Sequence, residues 1–125
     1  MVTTVTTKGV GDAAEARAWT HLERHGLTLV TRNYRVARGP RSRGGEVDLI
    51  ARDRDGTLVF VEVRSRRGTG FGGAAASIGF VKRRSIVLAA QHYLRRFASP
   101  PACRFDVVAI EGERIEWLKA AFDAS

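Results

Sequence analysis

The chain has 125 residues, 44% of them hydrophobic, and a net charge of +8 from 21 Lys and Arg against 13 Asp and Glu. That length builds one domain with a real core, and nothing approaches the ~20 apolar residues of a membrane span. A single cysteine, Cys103, excludes an internal disulfide and a multi-cysteine zinc site, and is expected to fill core on a strand.

The basic balance points to a polyanionic partner, with nucleic acid first and a membrane surface second. Because the polar N-terminus does not read as a signal peptide, the cytoplasm is the expected location. Residues 1–9 have no helical period and read as a disordered tail, leaving 10–125 as one domain. Gly11 to His25 reads as an amphipathic helix. Asp12 is the expected N-cap, with Glu15 three residues on in a capping-box arrangement. Ala14, Ala18 (or Trp19) and Leu22 keep the core spacing, and Gly26 ends the helix.

Leu27 to Val36 is the first strand. Residues 37–45, ARGPRSRGG, are a loop by every signal. Arg32, Arg35, Arg38, Arg41 and Arg43 load this region with positive charge, undiluted by acid, and suit a clamp on phosphates.

Gly45 to Arg67 reads as two strands around Arg54-Asp55-Gly56. Two-residue and three-residue loops both satisfy the turn chemistry. With three, Asp48 faces Glu62, Glu46 faces Arg64, and Val47, Leu49, Ala51, Val59, Val61 and Val63 make a wholly apolar opposite face. With two, charge is mixed into the core, so the three-residue loop is expected. Two carboxylates then stand side by side. Directly opposed like charges need a compensator, and a hard divalent cation is the natural one.

A glycine-rich stretch, GTGFGGAAAS at 68–77, reads as a flap; it lacks the Gly-Lys-[Ser/Thr] of a phosphate-binding loop. Ile78 to Phe97 is a long helix with Ile78, Val81, Ser85, Leu88 or Ala89 and His92 on one stripe, widened by Ile86, Ala90, Tyr93, Leu94 and Phe97. Lys82, Arg83 and Arg84 project near its start, where Gly79 weakens the first turn. Ser99-Pro100-Pro101 stops the helix. Cys103 to Ile110 and Arg114 to Lys119 follow as two hairpinned strands, and the terminal segment packs Trp117, Leu118 and Phe122 against the sheet. His21, His25 and His92 are scattered and suggest no metal-ligand set.

The ordered series GEVDLIA, VFVEVRSR, Lys82 in a helix, Arg104-Phe105-Asp106-Val107 and Ala120-Ala121-Phe122 resembles the YraN-like family of small bacterial proteins. Members of that family are predicted endonuclease relatives of the archaeal Holliday junction resolvases, in the PD-(D/E)xK nuclease superfamily. The likeness covers nearly the whole chain after about residue 10, and Asn33-x-Arg35 matches the family too. It implies an α/β, restriction-endonuclease-like α-β-β-β-α-β core with a mixed central sheet flanked by helices. It implies an endonuclease that needs Mg²⁺ or Mn²⁺ and acts on DNA, branched DNA included. Asp48 and Glu62 would hold the metal, helped by the Val63 carbonyl and by Glu15, although Ala14 stands where the family has Gly. A capping role for Glu15 is an equal alternative. Arg64 would join the catalytic group where the superfamily usually has lysine. Arginine cannot act as a base, so Arg64 either stabilises the phosphate or merely pairs with Glu46, and Lys82 could supply the amine. Arg35, Arg38, Arg41, Arg43, Arg66 and Lys82 would bind the nucleic-acid backbone. Glu46 and Asp106 are accessory candidates, with a structural pairing to an arginine favoured for Asp106. The alternatives are a non-catalytic nucleic-acid-binding module and, behind it, a basic protein-interaction domain. No membrane partner is expected, and the sequence leaves room for a homodimer.

Overall fold

In the computed structural model, which describes residues 7–37, 39–40, 44–66 and 78–124, the elements run α1 (Thr7–Arg24), β1 (Thr28–Val36), β2 (Gly45–Arg52), β3 (Leu58–Arg66), α2 (Phe80–Leu94), β4 (Cys103–Glu111) and β5 (Arg114–Phe122). The five strands form one sheet in sequence order. β1, β2 and β3 are antiparallel neighbours, β4 lies parallel to β3 after the α2 crossover, and β5 returns antiparallel at the edge. This is the α-β-β-β-α-β order of a restriction-endonuclease-like core with one further strand. No helix among the described residues is long and apolar enough to cross a membrane.

Each helix covers one face of the sheet. Ala14, Ala18 and Leu22 of α1 pack with Leu49, Ala51, Val59, Val61, Val108 and Ile110. Ile86, Ala89, Ala90 and Tyr93 of α2 pack with Val47, Ile50, Leu58, Phe60 and Phe105. α1 ends as its sequence demands. Gly26 adopts φ +95; its N–H donates to the Glu23 carbonyl and that of Leu27 to the Leu22 carbonyl. This is a Schellman cap closed by Leu22 against Leu27. The β2–β3 turn has the three-residue form. Asp53 and Thr57 close it by an N–H to carbonyl bond of 2.9 Å, Gly56 takes φ +90, and Leu49 faces Val61 in the expected register.

Several expectations are corrected. α1 begins at Thr7 rather than Gly11, so residues 7–9 are helical and Asp12 lies inside the helix. Glu15 is therefore released from the capping role. Val47 belongs to the α2 core, not to the Leu49 face. The alternation of β2 breaks at Asp48, where ladder pairing with β3 also stops. Helix α2 is shorter than 78–97, with Gly79 as its N-cap. Val81 and Leu88 point to solvent, because the buried stripe is Ile86, Ala89, Ala90 and Tyr93. Cys103 is exposed at the start of β4. The fifth strand runs on past Lys119 to Phe122 at the sheet edge, and Trp117, Leu118 and Phe122 pack on the cores as expected. A register shift opposite Asp106 and the positive φ of Ala120 disguise the period of that strand. The flap at 68–77 lies outside the described residues.

Gly45 sets how closely α2 approaches the sheet. A Cβ there would stand 2.6 Å from the Ser85 carbonyl oxygen and 2.8 Å from the Ala89 nitrogen, both backbone atoms of the helix. Gly45→Ala must therefore push α2 outward. We expect it to cost about 1–3 kcal/mol, the usual range for overpacking, as a lower midpoint in urea denaturation.

Candidate active site

The site lies where β2 and β3 part. Ladder pairing ends at Leu49 and Val61. Beyond it the Val63 N–H donates to Asp48 Oδ2 at 2.8 Å. A side-chain carboxylate thus takes the place of a main-chain acceptor, and the sheet opens into a seam. Both helices reach this seam, one from each face. From α1, Glu15 comes close enough to Asp48 for a hydrogen bond and for charge repulsion. From α2, Lys82 Nζ stands 3.5 Å from Glu62 Oε2 and 3.6 Å from Glu46 Oε1.

Glu62 is the residue that its surroundings explain least. It is only 2% exposed, and among the described residues its Oε1 is buried with no hydrogen-bond partner. Burial, followed by the hydrogen bond and charge of Asp48, pushes its carboxyl up to about 9, while Lys82 and Arg64 pull it back. Two like charges ~4 Å apart repel by about 4 kcal/mol at an effective dielectric constant of ~20, a large fraction of a domain's stability. Burial first, and Asp48 next, also raise the Glu15 carboxyl, against the lowering effect of the Asn33 amide. Glu46 is better compensated. Arg35 Nε lies 3.2 Å from its Oε2, and its own N–H donates to Ser85 Oγ at 3.1 Å.

The structure thus gathers Glu15, Glu46, Asp48, Glu62, Arg35 and Lys82 around one seam, with Arg64 close enough to lower the Glu62 carboxyl. Arg38, Arg41 and Arg43 lie outside the described residues, as does the side chain of Arg66. Asp106 does not join the group. It is fully buried and accepts from Arg104 Nε, Trp117 Nε1 and the Ala120 N–H. Arg104 also reaches Asp53 beside the β2–β3 turn at 2.8 Å. Asp106 therefore ties β4 to β5 and, through Arg104, to the turn.

Asn33, part of the Asn33-x-Arg35 pattern, joins the site although the sequence pattern implies no role for it there. It has φ 51 on β1, falls between Arg32 (opposite Leu49) and Tyr34 (opposite Val47), and so stands across from Asp48. Its side-chain amide hydrogen-bonds Glu15. Asn is among the few residues that accept a left-handed backbone readily. An Asn inside a strand pattern, one strand away from a candidate metal carboxylate, is the signal that marks it.

The donors suit a hard cation. Asp48 and Glu62 are adjacent oxygen donors, one atom of Glu62 lacks a partner among the described residues, and Glu15 is a third oxygen source across the seam. Among the described residues no three His, Cys, Asp or Glu side chains converge as a ready-made metal cage. Mg²⁺ commonly takes only one or two protein carboxylates and completes its shell with water and phosphate.

The model of the uncharacterised protein family UPF0102 matches residues 14–110, which span the seam, α1 from Ala14 onward and all of α2. The chain belongs to this family. UPF0102 is the YraN family, so the resemblance read from the sequence holds. The UPF0102 protein of Methylibium petroleiphilum is 70% identical over 121 residues, covering 97% of this chain and 99% of its own. That of Paracidovorax citrulli is 61% identical over 119 residues, covering 95% and 86%. Among solved structures, that of SSO0001 is a distant likeness, with a TM-score of 0.42 and 18% identity over 91% of this chain; this chain spans 52% of that one.

Proposed function

We propose that this UPF0102 protein is a divalent-metal-dependent endonuclease that hydrolyses phosphodiester bonds of DNA in the cytoplasm. The observation that carries the reading is Glu62: buried, short of one hydrogen-bond partner and pressed against a second carboxyl. A buried carboxylate so placed costs several kcal/mol, and a cation held by Glu62 and Asp48 offsets that cost. Mg²⁺ or Mn²⁺ fits oxygen donors of this kind. When bound, the ion supplies charge neutralisation at the phosphate and activation of water. Glu15 supports it from α1, steadied by Asn33.

The other residues act on substrate. Lys82 places its amine 3.5 Å from Glu62, where it can contact a phosphate oxygen or relay a proton. Arg64 can provide the first of these services but not the second. Lys82 thus replaces, from the helix, the lysine usually found at the position of Arg64. Arg35 stands at the mouth of the site, tied to Glu46. The sequence adds Arg38, Arg41, Arg43 and Arg66 as further charges for the nucleic-acid backbone. Branched DNA as substrate rests on the resemblance to resolvases.

A second reading has one observation in its favour. Lys82 already compensates Glu62 and Glu46 together, as it would in a binding module without turnover. Cleavage of labelled branched, duplex and single-stranded DNA, with Mg²⁺ or Mn²⁺ against EDTA, separates the two. Metal-dependent cleavage that disappears in Asp48→Asn supports the enzyme. Salt-sensitive binding without cleavage overturns it in favour of the module. For the enzyme, Lys82→Met keeps the aliphatic stem and removes the amine. We expect it to lower cleavage by about 10²-fold or more, the scale of a lost general acid or base.

A further inference from the structure

The first turn of α2 carries a feature that the carboxylate seam does not use. Phe80 is 64% exposed and Val81 60%. A lone exposed apolar residue needs no explanation, but Phe80 is not alone. Arg84, one turn on, holds its guanidinium 5.6 Å from the centre of the phenyl ring. Lys82, two residues on from Phe80, reaches Glu62. The turn contains no acidic residue.

The helical period places Lys82 toward the sheet and Phe80 and Arg84 on the solvent side of the same turn. A polyanion crossing the N-terminal end of α2 toward the carboxylates therefore meets an aromatic face with an arginine aligned beside it. The occupant that matches both is a nucleotide: its base stacks on the ring and its phosphate takes the guanidinium. In a continuous duplex the base faces are already stacked on one another, so the ring has nothing to receive.

We propose that Phe80 and Arg84 form a stacking platform for an exposed base face of a nucleic acid that crosses the N-terminal end of α2. The preferred substrate is then nucleic acid with locally unstacked bases, as in a single strand or a junction, rather than continuous duplex. This inference rests on the nucleic-acid reading of the seam and narrows it.

The test is anisotropy of labelled single strand, four-way junction and continuous duplex with the full-length protein in EDTA, where cleavage cannot interfere. Phe80→Ala should weaken single-strand and junction binding about fivefold or more, the scale of one lost base stack, and leave duplex binding within about twofold. Phe80→Trp should restore the loss. A 2-aminopurine base in the single strand should be quenched by the wild-type protein and not by Phe80→Ala. An equal effect on all three DNAs, or none on any, overturns the platform while the nucleic-acid reading stands. A shift from dimer to monomer in sedimentation of Phe80→Ala also overturns it, by making the patch a contact between copies. A wild-type protein that binds none of the DNAs at low salt removes the platform together with the reading beneath it.

Discussion

Glu62→Gln is expected to weaken Mn²⁺ binding by about tenfold or more and, at the same time, to make the metal-free protein more stable by about 1–3 kcal/mol. The two effects share one cause. The wild-type carboxyl is buried beside Asp48 with an oxygen left unpartnered, an arrangement that favours a cation and penalises its absence. Gln keeps the shape and has neither a charge to bury nor a proton to take up on folding. Lys82 retains Glu46 as partner in the variant, so the substitution does not strand an unpaired amine.

The effect depends on pH with a definite sign. Folding moves the Glu62 carboxyl from its ordinary 4.5 to about 9. Between these values the unfolded chain has released its proton and the folded one keeps it. The contribution of Glu62 to stability in EDTA is therefore full below about 4.5 and falls as pH rises toward 9. Urea denaturation of the wild type at acidic, neutral and alkaline pH should show this slope, and Glu62→Gln should flatten it. Metal binding expels the same proton, so Mn²⁺ should raise the melting temperature more at alkaline than at acidic pH. Parallel stability profiles for the two proteins would refute this account of Glu62.

The second large effect belongs to Asp106, and it concerns stability alone. Asp106→Ala leaves Arg104 Nε, Trp117 Nε1 and the Ala120 N–H without their shared acceptor. Removing one partner of a buried pair typically costs about 3–5 kcal/mol, enough to bring a domain of this size near its unfolding threshold. Equilibrium unfolding in urea measures the loss. Because Asp106 stands apart from the seam, the fraction of variant that folds should cleave DNA at the wild-type rate per molecule. A specific activity reduced more than the folded fraction would place Asp106 in the chemistry after all. In the Arg104→Met background the cost of Asp106→Ala should shrink, since one stranded donor is gone.

The hairpin register was legible because parity decided it. A one-residue slip would have put Asp48 among valines, and of the two loop lengths that the turn chemistry allows only the three-residue one keeps the charges together. The turn glycine and the Schellman glycine were legible for the same kind of reason, each being the residue that the backbone requires. What escaped were departures from period. At Asp48 the strand stops alternating, so Val47 went to the other core. At Ala120 a bulge interrupts β5, so the strand pattern fades at Lys119 although pairing resumes at Phe122. Gly9 and Gly11 made the start of α1 look like a terminus, yet the helix runs through them. In α2 the apolar residues permit two stripes, and Val81 and Leu88 favour the one the fold leaves in water. The proximity of Lys82 to Glu62 depends on how closely α2 lies on Gly45, a tertiary distance that no local pattern encodes.

The bond from the Val63 amide to the Asp48 carboxylate has a practical consequence. That amide proton is an internal spectroscopic probe, wired to one oxygen of a candidate metal ligand. Any cation that draws on the carboxylate withdraws electron density from the acceptor. The Val63 cross-peak in a ¹⁵N–¹H spectrum should then shift early in a Mn²⁺-free Mg²⁺ titration, while amides of the hairpin turn stay still. Occupancy of the seam can in this way be followed without any substrate, and independently of whether a bond is ever cut.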